Sequence, residues 1–269
     1  MKTTEAILET NKKQKEFYNN NSKQNLFTTI WAKFRNGLLN QIRKNIGIQD
    51  QAYLLHKEWF GDLSHKKVLD LGCHSGNYWS LYLAENAKEY LGIDLSDVAI
   101  AKLNERLKAF PNAKAEAIDF LSHDFVEKDY DLIYAYGVLH HFENTDILIA
   151  KLNEKLASKG EVISYDPLET SLPIKIIRTL YRPFQSDAAW EWPLTKKTFY
   201  QFQKAFKIKE RRGFLGKSKW VAFFAILPIS DKKKKKMGQK WHQQDWDESS
   251  ASDSAMFSCM HITMLMQRR

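Results

Sequence analysis

The stretch VLDLGCHSGNYW, Val68 to Trp79, decides how the chain is read. Its first four residues have the apolar, strand-prone character of a short buried β-strand. Gly72 and Gly76 then bound a tight turn, and a helix is expected to start near Asn77. A strand running through a glycine turn into a helix is a common cradle for nucleotide-like ligands. Here, however, the glycines follow G-x-x-x-G, and His74 stands in the middle of the turn. The G-x-G-x-x-G spacing that brings backbone against a pyrophosphate is absent. A ligand without a pyrophosphate makes a weaker demand on that middle position. The free N–H groups and positive dipole end of the following helix suit a carboxylate.

Outward from this turn, short strand-like runs recur: KVLDLG, EYLGIDLS, AKAEAIDF, YDLIYAYG and GEVISYDP. Helical patterns separate several of them. Ile100, Leu103, Leu107 and Phe110 share one face, and Leu148, Leu152 and Leu156 share another. Strands alternating with helices of this length predict right-handed βαβ units and a parallel sheet covered on both faces. Before the first strand, residues 1–60 are polar and helix-prone, with an apolar stripe of Ile30, Phe34, Leu38 and Ile42, and read as a helical N-terminal cap. After Pro167 the alternation stops for an aromatic loop, 168–194. It resumes as a helix, KKTFYQFQKAF, and a strand, KIKERRGF. The run MFSCMHITMLMQ reads as a last strand. A lid-like insertion, 214–255, precedes it, and the end of that insertion, DESSASDS, reads as flexible.

Composition narrows the setting. The chain has 269 residues and 43% hydrophobic content, enough for one elaborated domain. Two cysteines, Cys73 and Cys259, make no disulfide framework, no apolar run approaches a membrane span, and MKTTEAILETNKKQ lacks a signal-peptide core, so a cytoplasmic protein is expected. Part of the +9 net charge sits in DKKKKK, Asp231 to Lys236, read as a solvated helix face capped by Ser230 and Asp231. No dedicated nucleic-acid module and no metal site is expected.

Ligands of an open α/β sheet bind outside the carboxyl ends of its strands. The first strand offers Asp70, Gly72 and Gly76 there. The second offers Asp94, placed to accept hydrogen bonds from both hydroxyls of a ribose. The third offers Asp119 beside Phe120, an acceptor and a ring suited to an adenine amino group and its apolar face. Ribose, adenine and an amino-acid-sized anion together describe S-adenosylmethionine better than NAD.

These residues resemble the class I S-adenosylmethionine-dependent methyltransferases, particularly the small-molecule branch with a GVLHHF signature. VLDLGCHSG is similar to the family's first motif, with His74 in place of its usual middle glycine. GIDLS, AIDF, DLIYAYGVLHHF and ISYDP are similar to the motifs that follow, in order, over Val68 to Pro167. The resemblance implies a Rossmann-like sheet of seven mostly parallel strands, order 3-2-1-4-5-7-6, in a domain spanning 61–269. It implies that Asp70, Gly72, Cys73, His74 and Gly76 surround the methionine end of the cofactor. Asp94 and Leu95 would hold the ribose, Asp119 and Phe120 the adenine, and Tyr136 and Gly137 the border with the acceptor. Tyr18, in EFYN, would lie on a helix folded over the cofactor.

Methyl transfer is an in-line displacement, so a base is needed only when the acceptor must lose a proton. His140 and His141 beyond strand four, and Asp166 ending strand five, are the candidates. In YRPFQSDAAWEWP, Tyr181, Arg182, Gln185, Trp190 and Trp192 offer directional hydrogen bonds and aromatic walls for a substrate. Trp220 and VAFFAILP, followed by the lysine run, offer an apolar substrate tunnel or a peripheral membrane contact through 220–236. The reading is methyl transfer to an apolar or amphipathic small molecule, such as an isoprenoid, quinone-like ring or other secondary metabolite. The alternatives are a sugar or polysaccharide precursor, RNA, and a non-catalytic cofactor-binding scaffold.

Overall fold

The computed structural model describes residues 4–19, 37, 44, 46–184, 188–221 and 228–269. Seven strands form one sheet in the order β3-β2-β1-β4-β5-β7-β6, the predicted order. They are β1 (Lys67–Leu71), β2 (Glu89–Asp94), β3 (Ala113–Ala117), β4 (Tyr130–Tyr136), β5 (Leu156–Pro167), β6 (Phe206–Phe214) and β7 (His261–Arg268). The first five pair in parallel, and β7 runs antiparallel between β5 and β6.

The helices follow the apolar periodicities. In chain order they are α1 (Thr4–Asn19), α2 (Ile48–Phe60), α3 (Tyr78–Asn86), α4 (Asp97–Leu107) and α5 (Thr145–Lys155). Then come α6 (Leu172–Tyr181), α7 (Lys196–Ala205), α8 (Asp231–Ala251) and α9 (Asp253–Ser258). Alternate strand residues enter two separate cores because side chains of a strand point to opposite faces. Leu69, Leu71, Ile133, Ala135, Val162, Met264 and Met266 join the core that includes α5, α7 and Ile7 of α1. Val68, Leu132, Tyr134, Ile163 and Leu265 join the core built with α2, α3 and α4. Both faces of the central strands are therefore dry, which explains their nearly unbroken apolar runs.

Four local readings differ from the structure. Ser230 precedes α8 as expected, but its side chain makes no capping bond. The last strand starts at His261; Met256 to Ser258 belong to α9. DESSASDS is not a flexible tail, because it finishes α8 and starts α9. Its serines have partners that a compositional reading does not reveal. The Ser249 hydroxyl accepts the Gly213 N–H at 2.7 Å, and the Ser252 hydroxyl caps α9 through the Ala255 N–H at 3.3 Å. Finally, α8 packs along β6, the edge strand away from β1, β2 and β3, so the described part of the insertion buttresses that edge. The stripe Ile30, Phe34, Leu38 and Ile42 lies outside the described residues, as does most of VAFFAILP.

Asp245 fixes α8 to the turn after β6. Its carboxylate is 7% exposed and accepts the backbone N–H groups of Gly216, Lys217 and Ser218 at 3.0, 2.6 and 2.9 Å, plus the Ser218 hydroxyl at 2.6 Å. Removing it strands several donors where little water reaches. Asp245→Ala is expected to lower unfolding free energy by about 3 kcal/mol in urea titration, with Asp245→Asn losing less.

Candidate active site

The turn after β1 is tied to the end of β2. The N–H groups of Gly72 and Cys73 both donate to the Ile93 carbonyl, at 2.8 and 3.1 Å. The His74 N–H then reaches Asp94 Oδ2 at 3.0 Å, while Asp94 Oδ1 accepts the Ser96 N–H at 2.9 Å. Arg106 closes the far side by donating to the carbonyls of Ser75 and Gly76, both at 2.7 Å. Gly72 adopts φ +70°, and a Cβ there would sit 2.4 Å from a Val138 methyl. His74 adopts φ +48°, the left-handed region that favours glycine, although histidine enters it more readily than most residues.

A cavity opens beside this turn at the carboxyl ends of β1, β2, β3 and β4, where the strand order reverses direction. Of the residues read from sequence, Gly72, His74, Asp94, Leu95, Asp119, Phe120, Gly137 and His141 line it. Asp119 Oδ2 accepts Asn11 Nδ2 at 2.8 Å and Oδ1 accepts the Leu121 N–H at 2.9 Å. Burial raises the Asp119 carboxyl above its usual range, with those bonds opposing the rise. Phe120 is held against Phe142 at 6.0 Å between ring centres.

Asp70, Cys73, Gly76 and Tyr136 are not among the lining residues. Asp70 is 2% exposed beneath the turn and accepts the Tyr90 hydroxyl at 2.8 Å, so it braces β1 against β2. Cys73 is buried, and burial followed by the nearby Asp70 and Asp94 charges pushes its thiol well above the usual range. The Tyr136 ring packs with the opposite core and stacks on Tyr165 at 4.8 Å. The start of α3 offers fewer free donors than expected. Asn77 Oδ1 already accepts the Trp79 and Ser80 N–H groups, at 2.7 and 3.1 Å.

The two adjacent histidines separate. His140 is 8% exposed; its Nδ1 lies 2.9 Å from Asp166 Oδ1, which also accepts the His140 backbone N–H at 3.1 Å. Asp166 is wholly buried, with Oδ1 bonded to His140 and Oδ2 without a hydrogen-bond partner. His141 lines the cavity, with Nδ1 2.7 Å from the Trp190 carbonyl. A carbonyl only accepts, so Nδ1 carries the proton and Nε2 the lone pair of the neutral ring. The imidazoles lie in contact, tilted by 37° with centres 4.1 Å apart. The Trp192 N–H donates to the His140 carbonyl at 2.7 Å, so the aromatic loop is sewn to both histidines.

Other expected substrate residues lie elsewhere. Arg182 lines a second hollow with Arg178, Glu169 and Glu191, and donates to the Ala188 carbonyl at 3.0 Å. Trp220 lines a groove with Asp245 and Glu248 at the β6 end. Gln185 and the side chains of Tyr18 and Tyr181 lie outside the described residues. Sequence reasoning missed Asn11 and Gln14, which α1 contributes to the cavity, and Ile93, Ile118, Val138 and Phe142. The isoleucines sit one residue before Asp94 and Asp119, a signal available from the strand ends.

The donor set can be tested against the expected cofactor. The lining contains two aspartates and neither lysine nor arginine, which disfavours a pyrophosphate and suits a sulfonium ligand. Asp94 uses two of roughly four carboxylate acceptor positions on the backbone, leaving capacity for hydroxyls. Ile93, Ile118 and Phe142 supply an apolar slot for a base. The residues present fit S-adenosylmethionine.

This sheet and this cavity define a class I methyltransferase fold. Residues 69–162 match the family model described as a methyltransferase domain. It is similar to the N-methyltransferase NodS of Bradyrhizobium japonicum in complex with S-adenosyl-L-homocysteine, with 15% identity and a TM-score of 0.52 over 82% of this chain and 86% of that one. It is also similar to the carboxy-S-adenosyl-L-methionine synthase of Helicobacter pylori, 30% identical over 42% of this chain and 48% of the relative. The tRNA U34 carboxymethyltransferase of Nautilia profundicola is 30% identical over 38% of this chain and 34% of its own length. The chain thus spans less than half the length of these curated relatives.

Asp70 makes stability pH-dependent. Burial pushes its carboxyl from 3.8 up to about 6, against hydrogen bonds from Ser80 and Tyr90. A raised folded-state value means a contribution present in full below about 3.8 and lost as pH rises through about 6. Asp70→Asn keeps an acceptor for Tyr90. Its stability relative to the parent chain is expected to rise by roughly 3 kcal/mol between about pH 4 and 8 in denaturant titrations.

Proposed function

We propose that the protein transfers a methyl group from S-adenosylmethionine to a small apolar or amphipathic acceptor. The observation that carries this is the cavity at the strand ends, acidic and apolar, closed by Asn11 and Gln14 of α1 and bordered by His141. The cofactor, when bound, supplies an activated methyl on a positively charged sulfur. Asp94 holds the ribose hydroxyls. Asp119, positioned by Asn11, accepts from the adenine amino group beside Phe120. Gly137, with open space where a Cβ would stand, leaves room for the methionine end, and His74 orients Asp94 through its backbone N–H. Residues 1–60 serve as the cap and 61–269 as the catalytic domain.

His141 is the base for an acceptor that loses a proton, because its Nε2 carries the lone pair and its ring meets the cavity. Asp166 and His140 are positioning residues: the buried carboxylate holds one imidazole, whose ring lies against the other at a tilt of 37°. The acceptor is placed beside the loop of Trp190 and Trp192, whose backbone is bonded to both histidines, although neither tryptophan is among the residues lining the cavity.

Asp94→Ala is expected to weaken S-adenosylmethionine binding by about 10- to 100-fold in calorimetry, the scale of hydrogen bonds to a charged acceptor. Unchanged affinity would overturn the ribose assignment. With an identified acceptor, His141→Ala is expected to lower kcat by about 100-fold while cofactor affinity holds. Undiminished turnover would leave His141 a structural contact to the aromatic loop.

A further inference from the structure

Helix α6 begins five residues after Pro167, which ends β5. Its sequence, LPIKIIRTLY, contains no acidic residue. Leu172, Ile176 and Leu180 are 69%, 52% and 70% exposed. Spaced four apart on a helix, they fall within roughly an 80° arc. Lys175 and Arg178 fall on the neighbouring arc, and Arg182 extends it just beyond the last turn. Single exposed leucines are ordinary, but three aligned along one helix beside a basic flank form an organised face.

We propose that α6 docks the protein onto an anionic lipid bilayer. The aliphatic ridge enters the headgroup boundary, and Lys175, Arg178 and Arg182 meet the lipid phosphates, outweighing the carboxylates of Glu169 and Glu191 that share the hollow of the two arginines. The charge pattern selects this occupant. A two-fold pairing of α6 with a second copy would bring two basic flanks together, whereas an anionic surface neutralises them. The net charge of +9 favours the same approach. Among the described residues no helix is long and apolar enough to cross a membrane, so the contact is peripheral.

Docking holds the loop that follows α6 near the lipid. α6 runs into the loop whose Trp190 carbonyl holds His141 and whose Trp192 N–H holds His140. Resting on the methyl-transfer reading, this narrows the acceptor to a molecule that partitions into bilayers. The docking surface itself does not depend on that reading.

The test is flotation of the full chain, without cofactor, with phosphatidylcholine vesicles and with vesicles holding about 30% phosphatidylglycerol. The protein is expected to float only with the anionic vesicles. Replacing Leu172, Ile176 and Leu180 together by serine is expected to cut binding roughly tenfold, and Lys175→Glu about fivefold. Circular dichroism identical to the parent verifies that the variants fold. Absence of flotation overturns the proposal. So does full flotation of the triple variant, which would assign binding to another surface such as Lys232 to Lys236. A dimer in light scattering that the serine substitutions dissolve also overturns it, making the ridge a self-association seam. Flotation by a chain that binds no S-adenosylmethionine in calorimetry would sustain the docking surface and remove only the methyl-transfer reading.

Discussion

The carbonyl of Ile93 receives two backbone donors, from Gly72 and Cys73, and the site depends on that junction. It binds the turn after β1 to the tip of β2. Only from that position does the His74 N–H meet Asp94, and only there does Gly72 lie against Val138 from the end of β4. Three strand ends are thus brought to one point by backbone geometry. Below them the buried Asp70–Tyr90 hydrogen bond fixes the same two strands from inside the core. Burying a carboxyl at that place costs free energy, which its hydrogen bonds from Ser80 and Tyr90 offset in part.

The strand-end aspartates were legible because a parallel sheet sends its ligands to one edge. A chain that alternates βαβ therefore advertises its site in the residue after each strand. Asn11 and Gln14 carried no such mark. They belong to a polar helix distant in sequence, and their role arises only when α1 folds across the cavity and Asn11 finds Asp119. The error over DESSASDS has the opposite origin. Serine and aspartate are rich in loops, but the same side chains cap helices and satisfy buried backbone, as Ser249, Ser252 and Asp245 do here. Composition reports what a residue resembles, and the partner decides what it does.

The pair His140–His141 shows where sequence adjacency misleads. One ring is committed to a buried carboxylate and the other to a loop carbonyl, with a tilted ring contact between them. Neighbours in a short helical turn point in different directions, so equal candidates in sequence become unequal in space. The placement of Arg182 and Trp220 teaches a similar lesson. Both stand in aromatic, basic stretches attractive for binding, yet each lines a hollow of its own away from the cofactor strands.

The two buried thiols give the molecule a pair of internal reporters. Cys73 lies under the turn that meets the cofactor, and Cys259 lies under the Asp245 clamp, its thiol pushed up to about 12. Neither reacts with an alkylating reagent while its cover is closed, because the thiolate is suppressed and the sulfur is shielded. The labelling rate of each then measures how often its own end of the sheet breathes. Opening of the cofactor turn and loosening of the far edge can be timed separately, in the unaltered chain.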